Sequence, residues 1–291
     1  MSNPERRPKN ILSFQSEVVT GHVGNAAARL ALQRLGHEAW GVPTIILSSH
    51  AGHKGVAGEA TSAALLTTLV DALAAQSRLA DADGVLSGYL GSAEQAAIVA
   101  DAVTRTKATN GAALYCLDPV FGDDGKIYAR PGVAEAMRTT LLPLADIVTP
   151  NAFELATLSG LPVRQADEAL LAATALGRPI VVATSVPVGT DRLGTLMLAG
   201  GEAFLATTPR LAEVPRGAGD LFAALLFGQM IAGKTVAEAL ELAVRATWHV
   251  LSKSSGAPEM ALVAEQEALA APPHFDGFSI ERLELRKRAH G

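Results

Sequence analysis

Residues 216–235 read RGAGDLFAALLFGQMIAGKT and contain two rival ways to hold a phosphate. From Gly228 the stretch satisfies the P-loop pattern G-x-x-x-x-G-K-[ST], through Gly233, Lys234 and Thr235. Eleven residues earlier, Gly217, Ala218, Gly219 and Asp220 form a second glycine turn ahead of an apolar run. A P-loop needs a strand before it, small or polar residues between its glycines and a later strand ending in Asp for Mg²⁺. Here Gln229, Met230, Ile231 and Ala232 lie between the glycines, and they suit a helix rather than a phosphate cradle. Past Thr235 come VAEALELAVRATWHVLSK and EMALVAEQEALA, both helical in period. The downstream pattern therefore reads as a helix ending at a C-cap Gly233, with Thr235 as N-cap of the next.

The upstream turn has better physics. Gly217 and Gly219 let the backbone curl, and Leu221–Ala232 is an apolar helix whose first N–H groups point at the turn. Such a helix end favours anions. Asp220 at the helix start has two open roles, an N-cap carboxylate or a catalytic base.

Working outward, strand-length apolar runs alternate with helical patterns. NILSFQS precedes a helix over about Asn25–Leu35, and VPTIILS one over Glu59–Gln76. ADGVLSGY, AALYCLDPV and ADIVTPN precede helices near Ser92, Gly132 and Ala152, and PIVVATSV follows one over Asp167–Leu176. Repeated strand–helix units predict right-handed crossovers and a mostly parallel sheet with helices on both faces, a three-layer αβα sandwich. LGTLMLAGGEAFLATTP predicts a hairpin around Gly200-Gly201 at an antiparallel edge. Without repeats or linkers, residues 1–291 read as one α/β domain, with residues 1–9 as a disordered tail.

Composition agrees with a globular protein: 49% of residues are hydrophobic and 18% charged, which argues against disorder. The charge-free run Leu221–Gly233 is too short to cross a bilayer, and the polar N-terminus lacks a secretory pattern, so a cytoplasmic location is expected. Net charge is −5, and the basic cluster Arg282–Arg288 lies among acidic residues, reading as a solvated terminal helix and not a nucleic-acid face. Cys116, the single cysteine, reads as a small buried hydrophobe. His50 and His53 lack a third ligand nearby, which argues against zinc.

Ligands of open α/β sheets bind beyond the carboxyl ends of the strands. Several strands end on polar residues: Ser16, Tyr89, Asp118, Thr149 with Asn151, and Thr184 with Ser185. Each has a plainer reading as well. Asn151 with Glu154 satisfies a capping box, and Asp118 before Pro119 could simply end a strand ahead of the Gly122–Gly125 turn.

Taken together the chain resembles the pyridoxal kinases of the ribokinase-like superfamily. The resemblance rests on SFQSEVVTGHVGNAA (13–27), LSGYLGS (86–92), LDPVFGDDGKIY (117–128), DIVTPNAFELATLSG (146–160), VVATS (181–185) and RGAGDLFAALL (216–226). It implies transfer of the ATP γ-phosphoryl group to the 5′-hydroxyl of a B6 vitamer, with Mg²⁺, an optional monovalent cation such as K⁺, and a homodimer. Asp220 is then the base, and Gly217, Ala218 and Gly219 the anion hole. The resemblance puts Asp118, Asn151 and Glu154 near Mg²⁺ and the phosphates, with Asp118 and Glu154 at the metal. Thr149, Thr184, Ser185 and Gly219 fall near the nucleotide, and Ser16, Val23, Tyr89 and His50 near the pyridine ring.

The sequence departs from the family at Glu17, where His is usual, at Ala218, where Thr or Val is usual, and at Ser49-His50-Ala51, where the family has N-H-T. Ala51 lacks a hydroxyl that would bond substrate, a loss of about 1 kcal/mol net. Thr184-Ser185 is of the eukaryotic type, where bacterial relatives often carry Lys at the first position. The rival readings are a hydroxymethylpyrimidine kinase of the same fold and a catalytically weak vitamer-binding protein.

Overall fold

In the computed structural model, which describes residues 7–284, the chain opens on β1 (Asn10–Val18), α1 (Asn25–Arg34), β2 (Glu38–Leu47) and a short β3 (Gly58–Ala60). It continues through α2 (Ala63–Ala75), α3 (Arg78–Asp81), β4 (Gly84–Ser87), α4 (Gln95–Thr109) and β5 (Leu114–Leu117). The two-residue strands β6 (Gly122–Asp123) and β7 (Lys126–Ile127) pair only with each other, ahead of α5 (Val133–Ala136) and β8 (Ile147–Val148). Next come α6 (Ala152–Ser159), α7 (Ala166–Leu176), β9 (Ile180–Val188), β10 (Arg192–Ala199) and β11 (Glu202–Pro209). The chain closes on α8 (Ala218–Ile231), α9 (Val236–Lys253), α10 (Glu267–Ala270) and β12 (Ser279–Leu283).

Ten strands form one sheet in the order β12-β11-β10-β9-β8-β5-β4-β1-β2-β3. Strands β2, β1, β4, β5, β8 and β9 run parallel, and β3 and β10–β12 are antiparallel edges. Side chains alternate across it as a period of two requires. Ile11, Leu86, Cys116, Ile147 and Val182 pack against α1, α8 and α9 on one face. Leu12, Phe14, Val85, Tyr115, Leu117 and Val148 pack against α2 and α4 on the other, while α6 and α7 cover Val181 and Ala183. The αβα sandwich is thus present, and Cys116 lies wholly within its core. The hairpin at Gly200-Gly201 also forms, with Ala199 opposite Glu202 and both glycines at positive φ, the two-residue turn that suits twisted strands.

Several expectations are corrected. The helix placed over Glu59–Gln76 begins only at Ala63, because Ser62 accepts the Leu65 N–H as N-cap and Gly58–Ala60 pairs with β2. EMALVAEQEALA is helical only over Glu267–Ala270, because Met260 and Leu262 are drawn into the core from a turn. The basic C-terminal stretch starts as a strand, not a helix: Phe204 and Arg282 stand opposite each other and Arg282 pairs with Glu202. Residues 285–291 of that stretch lie outside the described residues, as do residues 1–6 of the expected tail; Arg7 and Lys9 both bond Asp83.

Two strands run past the residues at which they were expected to stop. Strand β1 continues beyond Ser16 to Val18 through a register shift between Gln15 and Glu17. Strand β9 continues beyond Thr184 and Ser185 to Val188, again through a shift, with Ser185 at φ +57°. Bulges of this kind re-aim side chains beside active sites.

Helix α8 passes through the middle of the molecule. Leu221–Gln229 are all buried, so its outer faces have no polar stripe. Gly228, first glycine of the P-loop pattern, is a packing position: a Cβ there would press on Leu35 and Leu32 of α1, and its carbonyl bonds His37.

Candidate active site

The N-terminus of α8 begins with Gly217 at φ +97°, a conformation open to glycine and costly for other residues. A side chain at Gly217 would also collide with the His22 carbonyl oxygen. No side chain caps the helix, so the N–H groups of Ala218, Gly219 and Asp220 have no partner within it. Nothing lies within 4 Å of the position a Gly219 Cβ would take, which leaves open space beside these donors.

Asp220 does not serve as the N-cap. Its Oδ2 instead accepts the Gly24 N–H at 2.8 Å, tying the start of α8 to the turn that ends the β1–α1 connection. Burial pushes the carboxyl up to about 6, and the Gly24 N–H draws it back down. A carboxylate near 6 is still ionised at neutral pH and is basic enough to accept a proton.

Two more carboxylates face it. Asp118 follows β5; its Oδ1 accepts the Thr149 hydroxyl at 2.8 Å, and its Oδ2 is buried without a partner. Burial raises its carboxyl well above the usual range, reinforced by the charges of Glu154 and Asp220 and opposed by Thr149. Glu154 belongs to the predicted capping box of α6: Asn151 Oδ1 accepts the Glu154 N–H and Glu154 Oε2 the Asn151 N–H, each at 2.9 Å. Its Oε1 accepts N–H bonds from Phe121 and Gly122 at 3.0 and 3.3 Å. Burial lifts this carboxyl to about 8 against the pull of those backbone donors.

The sequence-predicted residues form a connected path. Asn151 donates its side-chain amide to the Gly122 carbonyl and bridges to Thr184 in β9. Glu154 holds the Phe121–Gly122 turn, Asp118 and Asp220 share one electrostatic field, and Asp220 reaches Gly24, which packs against Ser16. Val23 is buried in the same turn. Tyr89 and His50 stand outside this path. The Tyr89 carbonyl accepts the Thr44 hydroxyl, and burial raises its phenol. His50 lies on the loop after β2, where Nδ1 accepts the Gly52 N–H; burial, then Arg216 and His53, lower its pKa while Glu259 opposes them. Glu17 pairs with Arg29 at 2.8 Å, which directs it along α1.

Sequence reasoning missed Tyr128, at the end of the quoted LDPVFGDDGKIY. Although the side chain is half exposed, desolvation of its hydroxyl and then the charges of Glu154, Asp220, Asp118 and Asp123 push the phenol up, which puts it beside the carboxylates. It also missed Arg216, whose guanidinium comes within 3.9 Å of Asp123 on β6. Nothing in the local pattern marks either residue; only the return of the β6–β7 hairpin toward α8 does so.

A mostly parallel αβα sandwich with a glycine turn and a raised carboxylate at an open helix N-terminus is the arrangement of the ribokinase-like α/β kinases. Residues 35–261 match the phosphomethylpyrimidine kinase family. A pyridoxal kinase PdxY of Rubrobacter xylanophilus is 41% identical over 274 residues, 91% of this chain and 94% of the relative. That of Deinococcus radiodurans is 40% identical over 292 residues, 95% and 97% of the two chains. Among solved structures, the Leishmania donovani pyridoxal kinase in complex with ADP and pyridoxamine aligns with a TM-score of 0.89 at 28% identity, covering 95% of this chain and 100% of that one. The Entamoeba histolytica pyridoxal kinase gives 0.88 at 26%, again over 95% and 100%. The chain belongs to the pyridoxal kinase family.

Proposed function

We propose that this protein transfers the γ-phosphoryl group of ATP to the 5′-hydroxyl of pyridoxal, forming pyridoxal 5′-phosphate. The observation that carries the site assignment is Asp220. Its carboxylate is freed from helix capping, pushed up to about 6, and held by Gly24 at the junction of the vitamer-side turn and the α8 N-terminus. In that position it accepts the hydroxyl proton as the oxygen attacks phosphorus. The N–H groups of Ala218 and Gly219 then face the charge on the transferring group, supported by the helix dipole.

The residues present fit a magnesium ion carried in with the nucleotide. Mg²⁺ takes one or two carboxylates and completes its shell with water and phosphate oxygens. Asp118, with a buried oxygen that lacks a partner, is the side chain suited to hold it. Glu154 is held by three backbone donors and acts mainly by keeping the 121–122 turn in place. The ion, when bound, would neutralise phosphate charge and favour the ionised form of the Asp118 carboxyl. Thr149, Asn151, Thr184 and Ser185 are assigned to the nucleotide side, and Ser16, Val23, Tyr89 and His50 to the vitamer side. The same reading extends to a cytoplasmic homodimer that accepts K⁺.

A hydroxymethylpyrimidine kinase is the second reading, favoured by the description of the family matched over residues 35–261. A panel of pyridoxal, pyridoxamine, pyridoxine and hydroxymethylpyrimidine, assayed with and without Mg²⁺, separates the two. Pyridoxal is expected to give the highest kcat/KM; a preference for the pyrimidine would reverse the assignment, and absence of turnover on all four would leave a binding protein. The intact Asp118, Asp220 and glycine turn argue against that last outcome.

A further inference from the structure

Glu259 lies far from Asp220 in sequence, in the turn after α9, at the start of the EMALVAEQEALA stretch and outside the segments that carry the family resemblance. Its carboxylate nevertheless meets two segments of the vitamer side. Oε2 accepts the His22 N–H at 3.4 Å, and both oxygens stand 2.7 Å from where a Gly21 Cβ would be, so Gly21 leaves room for this side chain. Oε1 is 4.0 Å from Nε2 of His53, on the loop joining β2 to β3. The neighbouring Met260 is buried, and its Cε would touch a side chain at Gly217.

The turn that Glu259 grips is the one that sets the catalytic group. His22 contributes the carbonyl lying against Gly217, and Gly24, two residues on, donates to Asp220. A shift of the 21–24 turn therefore moves the Asp220 carboxylate and the anion hole together. His50 and His53 on the loop, Arg216 before the glycine turn, and His22 itself are the other ionisable groups around this junction. Glu259, from the α9 side, meets His22 and His53 directly, and its charge acts on His50.

We propose that Glu259 is a positioning residue: it clamps the Gly21–Gly24 turn so that Asp220 is aimed at the vitamer hydroxyl, and ties the His50–His53 loop to the same turn. The proposal rests on the reading of Asp220 as base. It assigns two separable roles to one carboxylate, hydrogen-bond acceptor for His22 and a close partner for the His53 ring.

The test is steady-state kinetics with pyridoxal and MgATP on Glu259→Ala, Glu259→Gln and Asp220→Asn, with thermal melts of each. Glu259→Ala is expected to lower kcat about tenfold, below the roughly 10²-fold that a 1 Å misplacement of a reacting group can cost, and to raise KM for pyridoxal with KM for MgATP unchanged. Glu259→Gln keeps an acceptor for the His22 N–H, so kcat returns to within about twofold of the parent while KM for pyridoxal stays raised. Parent-like kcat and KM in Glu259→Ala would overturn the clamp. So would equal kcat losses in Ala and Gln, or a rise in both KM values together with a lowered Tm, which is the pattern of general loosening. An inactive Asp220→Asn beside a normal Glu259→Ala removes only the clamp; a fully active Asp220→Asn removes the base assignment beneath it.

Discussion

The two ends of α8 carry the two phosphate signatures of the opening stretch, and they differ in where their backbone donors go. At the C-terminal end, the Gly233 N–H bonds the Met230 carbonyl and the Lys234 N–H bonds Gln229, which closes the helix. Thr235 then starts α9 with a full capping box to Glu238. Lys234 is exposed beside that acid and about 20 Å along the helix from Asp220. At the N-terminal end the donors stay uncommitted, the backbone is left-handed at Gly217, and a carboxylate with a raised pKa faces the same space. A glycine pattern holds an anion when its N–H groups are free, and the lysine in the sequence pattern does not replace them.

The contrast breaks most directly at Asp220. Asp220→Asn is expected to lower kcat roughly 10²-fold or more, the usual worth of a positioned general base, with the fold unchanged by circular dichroism. In the parent enzyme the base must be unprotonated. With its carboxyl at about 6, kcat/KM should fall about tenfold per pH unit below that value and level off above it. The residual activity of the Asn variant should lack this acidic limb, and a shared limb would assign the titration elsewhere.

A smaller effect is expected at Gly217. Gly217→Ala forces a side chain into a left-handed backbone, costing about 1–2 kcal/mol before any clash with His22. Displacing that carbonyl should lower kcat about tenfold. Urea denaturation and steady-state kinetics measure the two losses, and a fully active, fully stable variant would show that the anion hole does not depend on this turn. The smallest effect sharpens the other side of the comparison: Lys234→Ala should leave the ATP dissociation constant within about twofold, as expected for an exposed charge. A large loss in a nucleotide titration would return the phosphate to the downstream pattern.

The sandwich was legible in the sequence because parallel strands buried on both faces read as short apolar runs between helices, as NILSF, ALYCL and IVVA do. The capping box at Asn151 and the N-cap at Thr235 were legible for a similar reason, since each is local and has one geometry. Bulges were not. Ser16 and Thr184-Ser185 look like strand ends in a linear reading, whereas one neighbour of each strand, β2 for β1 and β10 for β9, carries it past them. Ser185 holds a left-handed φ without being glycine, a strain of about 1–3 kcal/mol that no propensity scale would assign there. Asp220 showed its chemistry in sequence only through resemblance, because the bond that distinguishes a base from a cap comes from Gly24, on a distant turn. Glu259 and Tyr128 reach the site by tertiary return of the chain, which spacing does not encode.

The burial of α8 on every side has a consequence for motion. The amides of Leu221–Gln229 can meet solvent only when α1 and α9 part from α8, so their hydrogen exchange should track global unfolding rather than local opening. The Asp220 carboxylate sits on the half-buried turn that leads directly into this closed segment. Entry of a ligand and departure of a product fall instead to the exposed loops around residues 48–57 and 123–128, while the 21–24 turn stays tied to Asp220 through the Gly24 N–H.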